Sequence, residues 1–174
     1  MPVSPVEEFR LWHDYYVLIG TAAATLIAAM FVVASIGSGF LTRRHSPQIR
    51  TFLTPTVIHL TSVLLAALLA TVPTLAWQFL GVAFGLGGGA GMVYSALVGW
   101  RIARRRVEWS DQVWYALTPI VGYGVIAAAS LSIVLHAAPN FEALAVGAAL
   151  LLVAGIRNAW DMIIFFVAQD RDSG

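Results

Sequence analysis

Three stretches of this chain, residues 15–42, 51–100 and 112–141, contain no Asp, Glu, Lys or Arg. A helix that crosses the hydrocarbon core of a bilayer needs about 20 predominantly apolar residues, and each stretch is at least that long. The middle run is far too long for a single crossing, so it is read as two helices joined by the turn at Pro73-Thr74. Charged residues make up 11% of the chain, against about a quarter in soluble domains. The expectation is an all-α, polytopic transmembrane helical bundle forming one integral membrane domain over residues 1–174.

Local punctuation divides the bundle into five spans, at about 15–37, 52–72, 77–100, 112–136 and 142–168. Ser4, Pro5 and Glu7 have the spacing of a helix N-cap, an N1 proline and a capping-box partner, and Ser46-Pro47 repeats the cap and proline. The acidic start, followed by a long apolar run, argues against a cleavable signal peptide, which has a basic beginning and a short apolar region. Gly37-Ser38-Gly39 closes the first span, and Ala138-Pro139-Asn140 turns the chain between the last two.

Arginine placement sets the expected orientation. The loop after span 1 holds Arg43, Arg44 and Arg50, the loop after span 3 holds Arg101, Arg104, Arg105 and Arg106, and the turns near 73 and 139 have none. Basic loops stay cytoplasmic, so the N-terminus is expected outside and the C-terminus inside, in a bacterial inner membrane. Trp12 and Trp77 then fall at the outer interface and Trp100, Trp109 and Trp114 at the inner one, while Trp160 breaks the pattern.

Two absences exclude whole chemistries. Without cysteine there are no disulfides, thiolate nucleophiles or iron–sulfur ligands, and without lysine no Schiff base forms with a carbonyl cofactor. No intramembrane protease or Walker signature is present, since Glu7-Glu8-Phe9-Arg10 has the wrong spacing and no Gly-Lys-Ser/Thr follows the glycines of span 3. An enzyme is not expected. His13 and His136 would sit at similar depth near the outer ends of two spans, a haem or metal geometry that no short ligand spacing supports, and no cofactor is expected.

The tripeptide Leu-Thr-Pro occurs at 53–55 and at 117–119, each near the start of an inside-to-outside span, which suggests a parallel repeat of two hairpins. His59 and Tyr123 stand one turn beyond the two prolines. Arg157 and Asp161 interrupt the last span four residues apart, on one helical face where they can pair. With a rise of about 1.5 Å per residue, His59, Tyr94 and Asp161 lie about 10 Å from the cytoplasmic ends and Arg157 near the midplane. Ionisable groups inside a membrane usually face the bundle interior. The candidate binding or pathway residues are therefore His59, Tyr94, Tyr123, Arg157, Asn158 and Asp161.

Span 3 carries Gly81, Gly85 and Gly89 as a GxxxGxxxG stripe, with Gly87 and Gly91 as a second GxxxG. Small residues at this spacing let helices approach closely. The stripe suits packing within the bundle, a homo-oligomer or a membrane-protein partner. Beyond these and the lipid bilayer no partner is expected, and no nucleic acid.

The stretches WHDYYVLIGTAAATLIAAMFVVAS and FLTPTVIHL resemble a family of small, uncharacterised bacterial multi-pass inner-membrane proteins. The resemblance covers the first third of the chain and implies no activity. The residues themselves point to a channel or transporter-like protein for a proton, ion or small solute, or to a non-catalytic accessory or regulatory subunit of a larger membrane complex.

Overall fold

The computed structural model describes residues 5–36, 46–72, 76–104, 112–135 and 140–171, and 97% of them are helical. The five helices are α1 (Pro5–Ile36), α2 (Ser46–Thr71), α3 (Trp77–Arg104), α4 (Val113–Val134) and α5 (Phe141–Arg171). Each contains a segment long and apolar enough to cross a membrane. The starts follow local chemistry: α1 begins at Pro5, whose missing N–H costs nothing in a first turn. At the head of α5, the Ala143 amide donates to Asn140 Oδ1 at 2.9 Å, making Asn140 the N-cap. The turns at Pro73-Thr74 and at 138–139, and the basic residues 105 and 106, lie outside the described residues.

The helices stack in the spatial order α3, α4, α5, α2, α1, with α1 also touching α5. α4 and α5 pack closely, as do α3 and α4, whereas α2 and α3, consecutive in the chain, only touch. The two Leu-Thr-Pro hairpins thus pack differently, one splayed and one closed.

Large apolar side chains are exposed along every helix, among them Leu18, Phe31, Leu68, Leu86, Leu97, Leu131 and Val146. In water such a surface would be an aggregation hazard, and for helices of this length it is the surface a lipid phase accepts. Trp160 is exposed on α5 in the same way. The main core, built around Tyr16, Val63, Phe84, Tyr123, Ile126, Leu144 and Leu151, draws on all five helices. A second core joins Met30, Leu60, Ala159 and Met162, and a third joins Val98, Ile102 and Tyr115 near the end of α3 that carries Arg101 and Arg104, called here the inner end.

Contacts on α3 differ from one glycine of the expected stripe to the next. A Cβ at Gly81 would lie 2.9 Å from Ile133, at Gly88 2.9 Å from the Ala127 backbone nitrogen, and at Gly99 2.7 Å from Ala116, while at Gly91 it would run into the Tyr123 ring. Gly85 meets Ser130 at an ordinary 3.6 Å, and nothing lies within 4 Å of Gly87 or Gly89. With 3.6 residues per turn, positions four apart drift by about 40° each step, so Gly89 has turned about 80° away from Gly81. The close contacts run instead through Gly81, Gly88, Gly91 and Gly99.

α4 opens with a π turn at Val113–Leu117, in which the Thr118 amide bonds back to the Val113 carbonyl. Pro119 follows directly and has no N–H to offer the preceding turn, which favours the wider register there. Pro55 lies inside α2, which remains α-helical around it.

Candidate functional site

Where α2, α4 and α5 meet, polar side chains occupy an otherwise apolar interior. His59 comes from α2 and Tyr123 from α4, and both are buried. His59 Nδ1 lies 3.1 Å from Tyr123 Oη, and Ser62 Oγ, one turn further along α2, lies 2.9 Å from the same oxygen. Ser62 also donates to the Ile58 carbonyl at 2.9 Å. The back of the Tyr123 ring rests on Gly91 of α3, where only a residue without Cβ leaves room. One tyrosine thereby ties three helices together.

One turn toward the inner end, Asn158 of α5 is 1% exposed and, among the described residues, neither atom of its amide has a partner. Its backbone carbonyl receives a long hydrogen bond, 3.4 Å, from Tyr115 Oη of the π turn. Leu60 lies against Gly155, the position a Cβ would bring to 2.6 Å, and this close approach fixes the register that carries His59 and Asn158 to the same junction. His59 Nε2 and Ser95 Oγ are likewise buried and without a partner among the described residues. Buried polar atoms are nearly always hydrogen-bonded, so three such side chains mark the inner half of this bundle as a place where a partner is needed.

Beside Tyr123 a cavity of about 180 Å³ separates α2 from α3. Its walls are apolar, including Leu65, Leu69, Phe84 and Leu151, and Ser62 and Tyr123 supply the hydroxyls in its lining. Small residues, Ala66, Ala83, Gly87, Gly88 and Ala148, keep the space open.

The remaining candidates sit elsewhere. Arg157 and Asp161 form an ion pair on one face of α5, with side chains 38% and 26% exposed. Both side chains are part-exposed, unlike the buried His59 and Tyr123, so the six candidate residues do not share one buried site. Tyr94 is part-buried and packs against Val98, Ile102 and Tyr115 on the α3–α4 side. Trp100, six residues further along α3, is stacked under the Arg104 guanidinium, 3.9 Å from the ring centroid. Among the described residues no group of three His, Asp or Glu side chains is placed to hold a metal, and His136 lies outside them.

Ser62 and Tyr115 belong to this junction, and Ser95 is buried on α3; none of the three is among the residues expected from the sequence. Ser62 had a visible signal, standing three residues after His59 on the same helical face. Tyr115 had none, because its orientation depends on the π turn. No family model, curated protein or solved structure matches the chain.

Proposed function

We propose that the chain is an integral protein of a bacterial inner membrane, N-terminus outside and C-terminus cytoplasmic, and works as a channel or transporter-like protein for a proton or another small polar species. The single observation that carries this reading is the set of buried, unpartnered polar atoms on His59, Asn158 and Ser95 inside a bundle whose outer surface is apolar. Such groups in hydrocarbon are costly, and where they persist they usually face a pathway or a bound species. The His59–Tyr123–Ser62 chain would carry or bind that species, and Asn158 would line its approach from the inner end. Arg157 and Asp161 neutralise each other beside the route and are not required to enter it. No enzymatic role is proposed.

Purified protein in liposomes loaded with a pH-sensitive dye tests the reading. Under a potassium diffusion potential it should dissipate a proton gradient, or pass a small solute in parallel assays, and His59→Phe should abolish the flux with thermal stability retained. Flux unchanged in His59→Phe, or no flux of any kind, would sink it. Orientation is tested separately by Glu108→Cys in this cysteine-free chain, which should resist an impermeant reagent added from the periplasmic side.

A second reading, as an accessory subunit, draws on Gly89 of α3, where a Cβ would meet nothing within 4 Å among the described residues. Close helix approach in membranes uses such positions. It predicts stoichiometric partner chains co-purifying in mild detergent.

A further inference from the structure

The three contacts around Tyr123 can be checked by counting protons. Two hydroxyls and one neutral imidazole bring three hydrogens, and three contacts need them: His59 Nδ1 with Tyr123 Oη, Tyr123 Oη with Ser62 Oγ, and Ser62 Oγ with the Ile58 carbonyl. A carbonyl only accepts, so the Ser62 hydrogen is committed to Ile58. Ser62 Oγ must then accept from Tyr123, which has one hydrogen and spends it there. The contact with His59 is left to be filled from the histidine side, as Nδ1–H donating to Tyr123 Oη. Any other assignment leaves one of the three contacts without a hydrogen.

We infer that His59 is held as the Nδ1–H tautomer, and that its bare Nε2 is the acceptor of a buried site for a small N–H or O–H donor, such as water or ammonium. In neutral imidazole one nitrogen donates and the other accepts. Nε2 is therefore a lone pair, in a side chain with no exposed surface, and among the described residues it has no partner. The site accepts donors and refuses species that only accept, which excludes simple anions. This rests on the transport reading for its role in function, but the tautomer stands on the hydrogen-bond count alone.

The test uses the full-length protein in nanodiscs with nitrogen-15 histidine. His13, His45 and His136 are replaced by Gln so that His59 gives the only signal. The expected spectrum shows a protonated Nδ1 and an unprotonated Nε2. Ser62→Ala and Tyr123→Phe each remove one acceptor from the chain and should release the preference, adding an Nε2–H population. A wild-type majority of Nε2–H or of imidazolium overturns the inference, as does an identical tautomer ratio in both variants.

The donor is then identified in two arms. Ammonium chloride against matched sodium chloride should move the Nε2 resonance if ammonium enters, and magnetisation transfer from water protons to Nε2 should appear if the occupant is water. A response in either arm supports the site, and silence in both removes it. A confirmed tautomer with no proton or solute flux in liposomes would retire the transport reading and leave the donor site standing. Flux with the opposite tautomer would do the reverse.

Discussion

Arg157 and Asn158 are neighbours in sequence and opposites in environment. The arginine lies on the flank of α5, 38% exposed and paired with Asp161, whereas the asparagine is 1% exposed and its amide pairs with nothing among the described residues. One residue along a helix turns the side chain by about 100°, enough to move from the edge of the bundle to its centre. The charged groups have been placed where they satisfy each other within one helix, and the neutral polar groups where they wait for something else. Charge marks the conspicuous place in this sequence, and neutrality marks the interior one.

The sharpest way to break this contrast is to unpair the flank. Arg157→Gln or Asp161→Asn leaves a lone charge in an apolar surround, with an expected loss of up to about 2.5–3.5 kcal/mol, the insertion cost of a charge at the centre of a membrane helix. The double change should recover most of the thermal stability and retain any flux. Lack of coupling in a double-mutant cycle on the midpoint of unfolding would show that the pair contributes nothing.

Next in size is the interior side. Gly91→Ala drives a methyl into the Tyr123 ring, and overpacking of this kind costs about 1–3 kcal/mol. Thermal unfolding should register the loss, and flux should fall with it because Tyr123 can no longer reach both His59 and Ser62. A variant with unaltered stability would mean that the ring has room to swing aside.

Asn158→Leu sharpens the contrast from the other direction. Replacing an unpartnered buried amide with an apolar group of similar size is expected to be neutral or stabilising by about 1 kcal/mol, while flux is lost. A large drop in the unfolding midpoint would reveal a structural partner for the amide. The smallest effect is expected at Gly89→Ala, within about 0.5 kcal/mol of wild type, since open space surrounds that position. Loss of an oligomer on the same substitution, seen by size, would instead mark this face as occupied in the membrane.

Much of the architecture was legible because bilayer thickness converts uncharged length directly into helices. The five elements and the helix starts at Pro5 and Ser46 follow from runs, prolines and caps. The site was legible only in part. His59 and Tyr123 were marked by their place one turn after the two prolines, and they do meet. Along the glycine stripe, Gly81 meets Ile133 closely while nothing lies within 4 Å of Gly89 among the described residues, the drift that a fixed step of four produces, and Arg157 and Asp161 are part-exposed, where a self-neutralising pair can sit. Which helices close on each other was not legible, since every face is apolar and the choice between α2 and α4 as the neighbour of α3 depends on where backbones fit.

The π turn at the head of α4 acts as a phase adjuster. Eight residues separate Tyr115 from Tyr123, and in an unbroken α-helix that interval would leave the two rings about 80° out of step. The wider turn absorbs the discrepancy and lets both face the same junction, one toward Asn158 and the other toward His59. The length of this segment is therefore as constrained as its composition. Deleting Trp114 would restore ordinary winding and leave Tyr115 about 80° out of step with Tyr123, so the bond to the Asn158 carbonyl would be lost while the contact of Tyr123 with His59 stays.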